Sequence, residues 1–419
     1  MQSLQLTPKL LILLDEKDRQ STKVEFWYTH GGSWYEQGSD HGRRHLLEHA
    51  LVSRTKELDD NQFKEYCFEQ NFRTNAYTSA GVINLNGSSH KNDALKLVEL
   101  FAELYFKPTF SEATLVKERE IVLREIADRQ GDPEYQLWQD IGAKIYTEGS
   151  LDRHETLGTS EEVGATTLED FERIYHQILN DSTLVISVAG GGITMGQIKQ
   201  IITPYTTTLL TDSKPLPHDY TTTLSVKNFQ TFYHPLAHQA AAVNLILPFV
   251  VDFQSRATRS VFAELFLGYN GSGLYDYLRD ELGLIYGYSS SFDLPSQSLQ
   301  LELNSEIELV PKILEGIHTY FQDFELRFDQ KKFEVLKRNT LKKFEQARDS
   351  LGFDNNFAIE NLLAYNQVES IEEYINKLNM VSELDVQNLY ETVYKNWPNT
   401  TAIVTSRKQE VTQIQYAFR

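Results

Sequence analysis

Two histidines four residues apart, His45 and His49, project from one side of a helix about one turn apart. That is the spacing at which two imidazoles can share a single metal ion. Glu48, within the run His45-Leu46-Leu47-Glu48-His49, projects beside them, where a carboxylate can hold an attacking water and take its proton without binding the metal. The order is the reverse of HExxH. A catalytic zinc takes three protein ligands and keeps a further position open, so another His or carboxylate must arrive from a different helix. The segment Ser111 to Gln130 offers two. At 100° per residue, Glu118 and Glu125 fall on one side of it, bracketed by Ile121 and Val122, with Leu115 and Ile126 close by. A lone buried carboxylate is costly. Two of them seven apart on an apolar edge read either as anions awaiting a cation or as partners of Arg119, Arg124 and Arg129.

HLLEH followed by KEREIVLREI resembles the pitrilysin and insulinase family, which includes the mitochondrial processing peptidases. In that family the third ligand is the second glutamate of an E-x6-E pair, and Glu125 stands 76 residues beyond His49, the spacing the family keeps. The resemblance therefore implies Glu125 as the ligand and Glu118 as the carboxylate that supports the ligands from behind. Asn75-Ala76-Tyr77-Thr78-Ser79 resembles the NAxTS edge strand that pairs with substrate backbone, which implies Asn75, Ala76 and Tyr77 as peptide-binding residues. An edge strand suits that task because its free N–H and C=O groups bind any extended peptide. Arg279 and Tyr286, within RDELGLIY, resemble the R-x6-Y pair whose side chains reach the scissile carbonyl in relatives. The second half of the chain has no HxxEH of its own.

Taken together, the resemblance implies a zinc-dependent endopeptidase acting on peptides or unfolded segments, with one Zn2+ per chain held by His45, His49 and Glu125. Glu48 would act as general base, and Arg279 and Tyr286 would stabilise the oxyanion. Relatives close four domains around a chamber, so a two-domain chain implies two chains per working unit: a homodimer, or a pairing with a related non-identical subunit. A non-catalytic scaffold of the same fold is the competing expectation, but such subunits typically lose ligands that this chain keeps. Three departures from the family pattern bear on substrate preference and remove no ligand. Arg43-Arg44 replaces small residues before the first histidine, Val52-Ser53-Arg54-Thr55 replaces a glycine-containing continuation, and Gly81-Val82-Ile83-Asn84 lacks an aromatic.

The elements that must position these residues follow from periodicity. Strand-like stretches at Leu4 to Leu14 and Lys23 to Tyr28 precede helical patterns at Asp40 to Lys56, capped by Ser39 or Asp40, and at Asp59 to Glu69. Strands at Phe72 to Ser79 and Gly81 to Gly87, four further helical patterns and a strand at Thr183 to Ala189 complete a first unit. Ala189-Gly190-Gly191-Gly192 reads as a plain strand-to-helix turn, because no GK[ST] follows and no GxGxxG is formed. Beyond a Thr-rich stretch with Pro215 and Pro217 the order of elements repeats. The expectation is an α+β protein of two repeated domains, each an antiparallel sheet with helices packed on one face: residues 1–205, a linker at 206–221, and residues 222–419.

At 419 residues the chain is long enough for two hydrophobic cores, and 41% hydrophobic content with 12% aromatics excludes a disordered or low-complexity class. A formal charge of -19 repels phosphate backbones, so nucleic acid is not an expected partner. The longest apolar stretch, Val243 to Val251, is interrupted by Asn244 and Pro248 and falls far short of a membrane helix, so no membrane insertion is expected. Cys67 is the single cysteine and the opening residues carry no signal-peptide pattern, from which a cytoplasmic setting is expected.

Overall fold

The computed structural model describes residues 1–147, 155–209, 229–233, 241–252, 254–268, 271 and 273–406. In chain order the first half runs β1 (Gln2–Thr7), β2 (Leu10–Glu16), β3 (Ser21–Tyr28), α1 (Arg43–Leu51), α2 (Asp60–Glu69), β4 (Arg73–Thr78), β5 (Ile83–His90), α3 (Ala94–Phe106), α4 (Glu112–Gln130), α5 (Pro133–Ile145), α6 (Ser160–Gly164), α7 (Leu168–Asp181), β6 (Leu184–Gly190) and α8 (Met195–Leu209). The second half follows with β7 (Phe229–Tyr233), β8 (Ala241–Pro248), α9 (Arg256–Phe262), α10 (Leu274–Asp276), β9 (Gly287–Asp293), β10 (Ser298–Ser305), α11 (Val310–Tyr320), α12 (Phe324–Arg327), α13 (Gln330–Ala347), α14 (Phe353–Tyr365), α15 (Ile371–Met380), α16 (Glu383–Asn396) and β11 (Thr401–Ser406).

Sheet 1 has six strands in the order β1-β2-β6-β3-β5-β4, and sheet 2 has five in the order β7-β11-β8-β10-β9. Both are mixed rather than purely antiparallel, because β6 enters parallel to β2 and β11 parallel to β7. Period-two alternation decides the two faces of sheet 1. Val24, Phe26 and Tyr28 of β3 face the helices α1, α3, α4, α7 and α8 in one large core, while Trp27 faces the other way. β2 and β6 are apolar at nearly every position, the signature of strands covered on both sides.

What covers the second side comes from the far end of the sequence. The compact units interleave along the chain: residues 1–131, 154–219 and 347–370 form one, while 132–153, 220–346 and 371–419 form the other. Helix α14 thus joins the first unit, where Ala358, Ile359 and Leu362 pack on Leu11, Leu13, Trp27 and Val185. Asn355, fully buried, donates from Nδ2 to the Val188 carbonyl at 3.0 Å and meets the Ser187 hydroxyl at 3.1 Å. In the second unit the borrowed helix is α5, whose Ile141 and Ile145 pack on Ile246 and Ile403 of sheet 2. Each sheet therefore carries helix on both faces, not on one, and a single cut near 206–221 separates neither unit cleanly.

Three further expectations change. The stretch Leu4 to Leu14 is a hairpin of two strands, β1 and β2, with a turn at Thr7–Leu10. The helix carrying His45 and His49 is shorter than Asp40 to Lys56, and neither Ser39 nor Asp40 caps it; its N-cap is Gly42 in the left-handed region at φ 81°. A side chain there would also collide with the Leu157 carbonyl. Helix α8 continues through Pro204 to Leu209, so the start of the expected linker is helical. Tertiary packing overrides the proline, since Tyr205 stacks on Phe106 at 5.3 Å and donates to Glu103 at 2.9 Å. The rest of the linker, 210–221, lies outside the described residues. Among the described residues no helix is long and apolar enough to cross a membrane.

Candidate metal centre

Helix α1 buries Leu46, Leu47, Ala50 and Leu51 in the first core, which leaves the His45, Glu48 and His49 edge turned toward α4. On α4, Leu115, Val122 and Ile126 hold the apolar side. The two helices pack together and bring His45, His49 and Glu125 to one place, each offering a ligand atom within 4.8 Å of the others. Nε2 of both histidines stands 3.9 Å from Oε2 of Glu125. The imidazoles lie nearly perpendicular, at 83° with centroids 4.8 Å apart, so their nitrogens converge instead of stacking.

The two glutamates of α4 are separated by exposure. Glu118 is 9% exposed at its side chain and Glu125 42%. Glu118 accepts from Nδ1 of His49 at 3.2 Å and pairs with Lys117 at 2.7 Å, so its partners are a histidine and a lysine, and the alternative pairing with arginines is not what the structure shows for it. Arg119 turns away to the Thr166 carbonyl, 2.5 Å off. With Nδ1 of His49 committed to Glu118, Nε2 is the nitrogen left for a metal.

Burial, with the neighbouring His49 charge, pulls the His45 pKa down to about 4, so this imidazole is neutral at pH 7 and ready to ligate. Burial also lowers His49, but the hydrogen bond to Glu118 and the charges of Glu48, Glu125 and Glu118 outweigh it and carry the group above its ordinary value. For Glu118 burial pushes upward, and His49 with Lys117 overcomes it, holding the carboxyl below its ordinary value. Glu48 is pushed up to about 7 by burial, against the pull of His49 and Thr78 and with Glu125 and Glu118 adding to the rise. Its Oε2 sits 3.9 Å from Nε2 of His45 and accepts from the Thr78 hydroxyl at 3.4 Å.

A set of two imidazole nitrogens and one carboxylate oxygen, with one nearby acid that is not part of it, suits zinc with a position left open. Ligand atoms about 2.1 Å from a tetrahedral ion stand about 3.4 Å apart, so the two pairs at 3.9 Å need to close by about half an ångström and the remaining pair, within 4.8 Å, by up to about 1.4 Å. Among the described residues the buried Nδ1 of His45 has no hydrogen-bond partner.

Asn75, Ala76 and Tyr77 lie on β4, which stands at one edge of sheet 1 among the described residues. Ala76 packs on the helix-side core and Thr78 reaches Glu48, so the even positions face the metal side. Asn75 and Tyr77 face the opposite side, where a cavity of about 400 Å³ opens between Trp27, Tyr77 and Asn86 of the sheet and Ile359 and Leu363 of α14. Tyr77 and Trp27 meet edge to face across it at 6.1 Å. Arg279 and Tyr286 belong to the second unit. Arg279 is exposed, lies 5.4 Å from the ring of Tyr275 and donates to its hydroxyl; Tyr286 precedes β9 and is 53% exposed. Sequence reasoning missed Thr78 and Lys117 as partners of the site acids. Thr78 could have been found from its place in the same NAYTS run, by strand parity; Lys117 carries no signal of its own.

Two family models match the chain: "Insulinase (Peptidase family M16)" over residues 12–159 and "Peptidase M16 inactive domain" over residues 165–340. An uncharacterized zinc protease of Rickettsia felis is 25% identical over 265 residues, 62% of this chain and 62% of that protein. The human mitochondrial-processing peptidase subunit beta is 24% identical over 182 residues, 43% of this chain and 37% of the subunit. The matched region thus spans less than two thirds of either relative. Among solved structures, a protease from Helicobacter pylori superposes with a TM-score of 0.76 at 17% identity, covering 97% of this chain and 99% of that one. A Pseudomonas fluorescens structure described as a peptidase M16 inactive domain gives 0.74 at 16% identity, covering 97% and 98%. At these identities the structural likeness speaks for the fold.

Proposed function

The chain belongs to the insulinase (M16) peptidase family, and on that premise we propose that it is a zinc-dependent endopeptidase cutting peptides or unfolded segments, with His45, His49 and Glu125 as metal ligands. The observation that carries this reading is the convergence of those three ligand atoms within 4.8 Å, with the carboxylate of Glu48 3.9 Å from one of them. Held by His45, His49 and Glu125, zinc would supply Lewis acidity toward a scissile carbonyl and would lower the pKa of a water to about 7. Glu48 takes the proton of the attacking water at Oε2 and returns it to the leaving amine, while the Thr78 hydroxyl steadies the carboxylate. Glu118 holds His49 in the tautomer that frees Nε2.

Substrate would bind as an added strand on β4, through backbone hydrogen bonds alongside Asn75, Ala76 and Tyr77. Alternate side chains of such a strand point over the cavity beside Tyr77, and those between them point to the metal side. Arg279 and Tyr286 would meet the oxyanion from a second chain, in a homodimer or beside a related subunit. The one cysteine, Cys67, is buried and has no cysteine to pair with, which supports a cytoplasmic setting.

The test separates ligands from base. Wild type should carry one zinc per chain, and His49→Ala should lose it. Glu48→Gln should keep its zinc while peptide hydrolysis falls by about a hundredfold or more. Unchanged hydrolysis in Glu48→Gln would reject the mechanism, and stoichiometric zinc in the His45→Ala, His49→Ala double variant would reject the site.

A further inference from the structure

Arg43 and Arg44 directly precede the first metal histidine, where the sequence departs from small residues, and both are buried. Their side chains diverge. The Arg44 guanidinium, 2% exposed, donates to the His30 carbonyl and, at 3.1 Å, to that of Tyr35, spanning the loop that joins β3 to α1. In the same loop Glu36, also buried, accepts from the backbone N–H groups of Gly42 and Arg44 at 3.0 Å each. It does from outside the helix what a capping side chain does from the first position, and Gly42 has no side chain to do it. Arg43 leaves on another side, meeting Asp170 of α7 at 2.7 Å and Asp40 at 3.2 Å. Arg173 closes this ring, reaching Asp40 at 2.7 Å and Asp170 at 3.0 Å.

The start of α1 is therefore fastened in two directions, into the β3–α1 loop and sideways onto α7. The consequence falls on the metal ligands, because two of the three ride on α1 and the third on α4. A helix of nine residues rotates as a rigid rod, so a turn about its axis or a slip along it moves both histidines together relative to Glu125. Hydrophobic contacts of Leu46, Leu47 and Leu51 resist separation of the helices but are less particular about rotation than directed hydrogen bonds.

We propose that Arg43, Arg44 and Glu36 form a positioning clamp for the metal centre, setting the rotation and height of α1 so that His45 and His49 meet Glu125 at ligating distance. The proposal rests on the reading of those three residues as zinc ligands. None of the clamp residues is a ligand or touches substrate, so their effect must appear in metal affinity and not only in fold stability.

The experiment measures zinc dissociation constants by chelator competition, together with the melting temperature of metal-free and zinc-loaded protein. Arg44→Met keeps the apolar stem without the guanidinium, Glu36→Gln keeps the shape but can accept only one of the two backbone N–H bonds, and Arg43→Met cuts the tie to α7. Each variant should weaken zinc by about tenfold or more, the size of effect seen when groups that orient metal ligands are removed. The rise in melting temperature on adding zinc should shrink accordingly. Arg173→Ala, which removes the most exposed member of the ring and leaves Arg43 on Asp170, should keep wild-type affinity. If Arg44→Met fails to fold, Glu36→Gln and Arg43→Met decide alone. Zinc affinity within about twofold of wild type in those variants, with melting temperature lowered, would overturn the clamp and leave a purely structural role. Wild type that binds no zinc, or His49→Ala that binds it as tightly as wild type, would overturn the ligand assignment instead, and the clamp with it.

Discussion

Glu118 and Glu125 lie seven residues apart on one helix, and their surroundings give them different work. Glu125 is the more exposed and reaches both histidines; Glu118 is buried and holds one histidine by its far nitrogen. Glu118→Gln keeps an acceptor beside His49 but loses the charge that holds its proton in place. Zinc affinity should fall by about tenfold to a hundredfold, whereas Glu125→Gln removes a ligand and should cost far more. Equal losses by chelator competition would erase the distinction. Glu25 on β3 makes the opposite case: burial raises its carboxyl, and the Lys23 charge, 3.0 Å away, with hydrogen bonds from Lys23 and Ser187, only partly offsets this. A folded pKa above the ordinary value of 4.5 means that the folded chain holds this proton more tightly than the unfolded one. The stabilisation is full below about pH 4.5 and is lost as pH rises through the folded value. Glu25→Gln should therefore raise the melting temperature at pH 7 and leave it unchanged at pH 4. A lower melting temperature at pH 7 would mean that the Lys23 pair outweighs the burial.

At the scale of elements, α14 is the informative one. It belongs to the second half of the sequence, yet its apolar side seals the outer face of sheet 1 over β2 and β6. Ile359, 1% exposed, sits in that seam. An unpaired carboxylate placed there has no partner and would cost several kcal/mol. Ile359→Asp should therefore speed backbone hydrogen exchange in β2, β3 and β6, more than 150 positions away in sequence, before it touches β8 or β10. Faster exchange confined to β8, β10 and β11 would contradict the assignment of α14 to the first unit. Helix α5 makes the reciprocal contact within the second unit through Ile141 and Ile145.

For the molecule as a whole, the proposed metal ligands lie in the first unit and Arg279 with Tyr286 in the second, and one chain keeps both sets. If two chains complete each other's sites, Glu48→Gln and Arg279→Ala proteins, each nearly inactive, should complement when mixed under conditions of subunit exchange. A mixed dimer then has one site with both defects and one with neither. With random pairing half the dimers are mixed and half their sites are intact, so activity should return to about a quarter of wild type in a closed two-fold dimer. No recovery despite demonstrated exchange would reject the shared site, and a monomer at assay concentration would do so sooner.

The grouping of the candidate metal residues was legible in the amino-acid order because helical spacing is a local rule, while the choice of Glu125 over Glu118 as ligand rested on the family resemblance. His45, Glu48 and His49 share a helix edge whatever surrounds them, and the wheel of α4 put Glu118 and Glu125 on one side in the same way. The strands of β4 and β5 were legible from their alternation, and the repeated order of elements from its sequence alone. Tertiary structure decided what local rules do not reach. An amphipathic pattern says that α5 and α14 must bury a face but not which sheet receives it, and each packs in the unit opposite its own half of the chain. Strand order is equally non-local, so the parallel entry of β6 beside β2 appears only once the sheet is assembled, whereas the place of β4 at an edge was implied by the family resemblance and not by any local rule. Arginine is ordinarily a surface residue, and Arg44 could be seen as an interior strut only when the carbonyls of His30 and Tyr35 had closed on its guanidinium and Glu36 had accepted from its backbone N–H. A buried charge is tolerable only with its partners in place, and those partners are supplied by the fold.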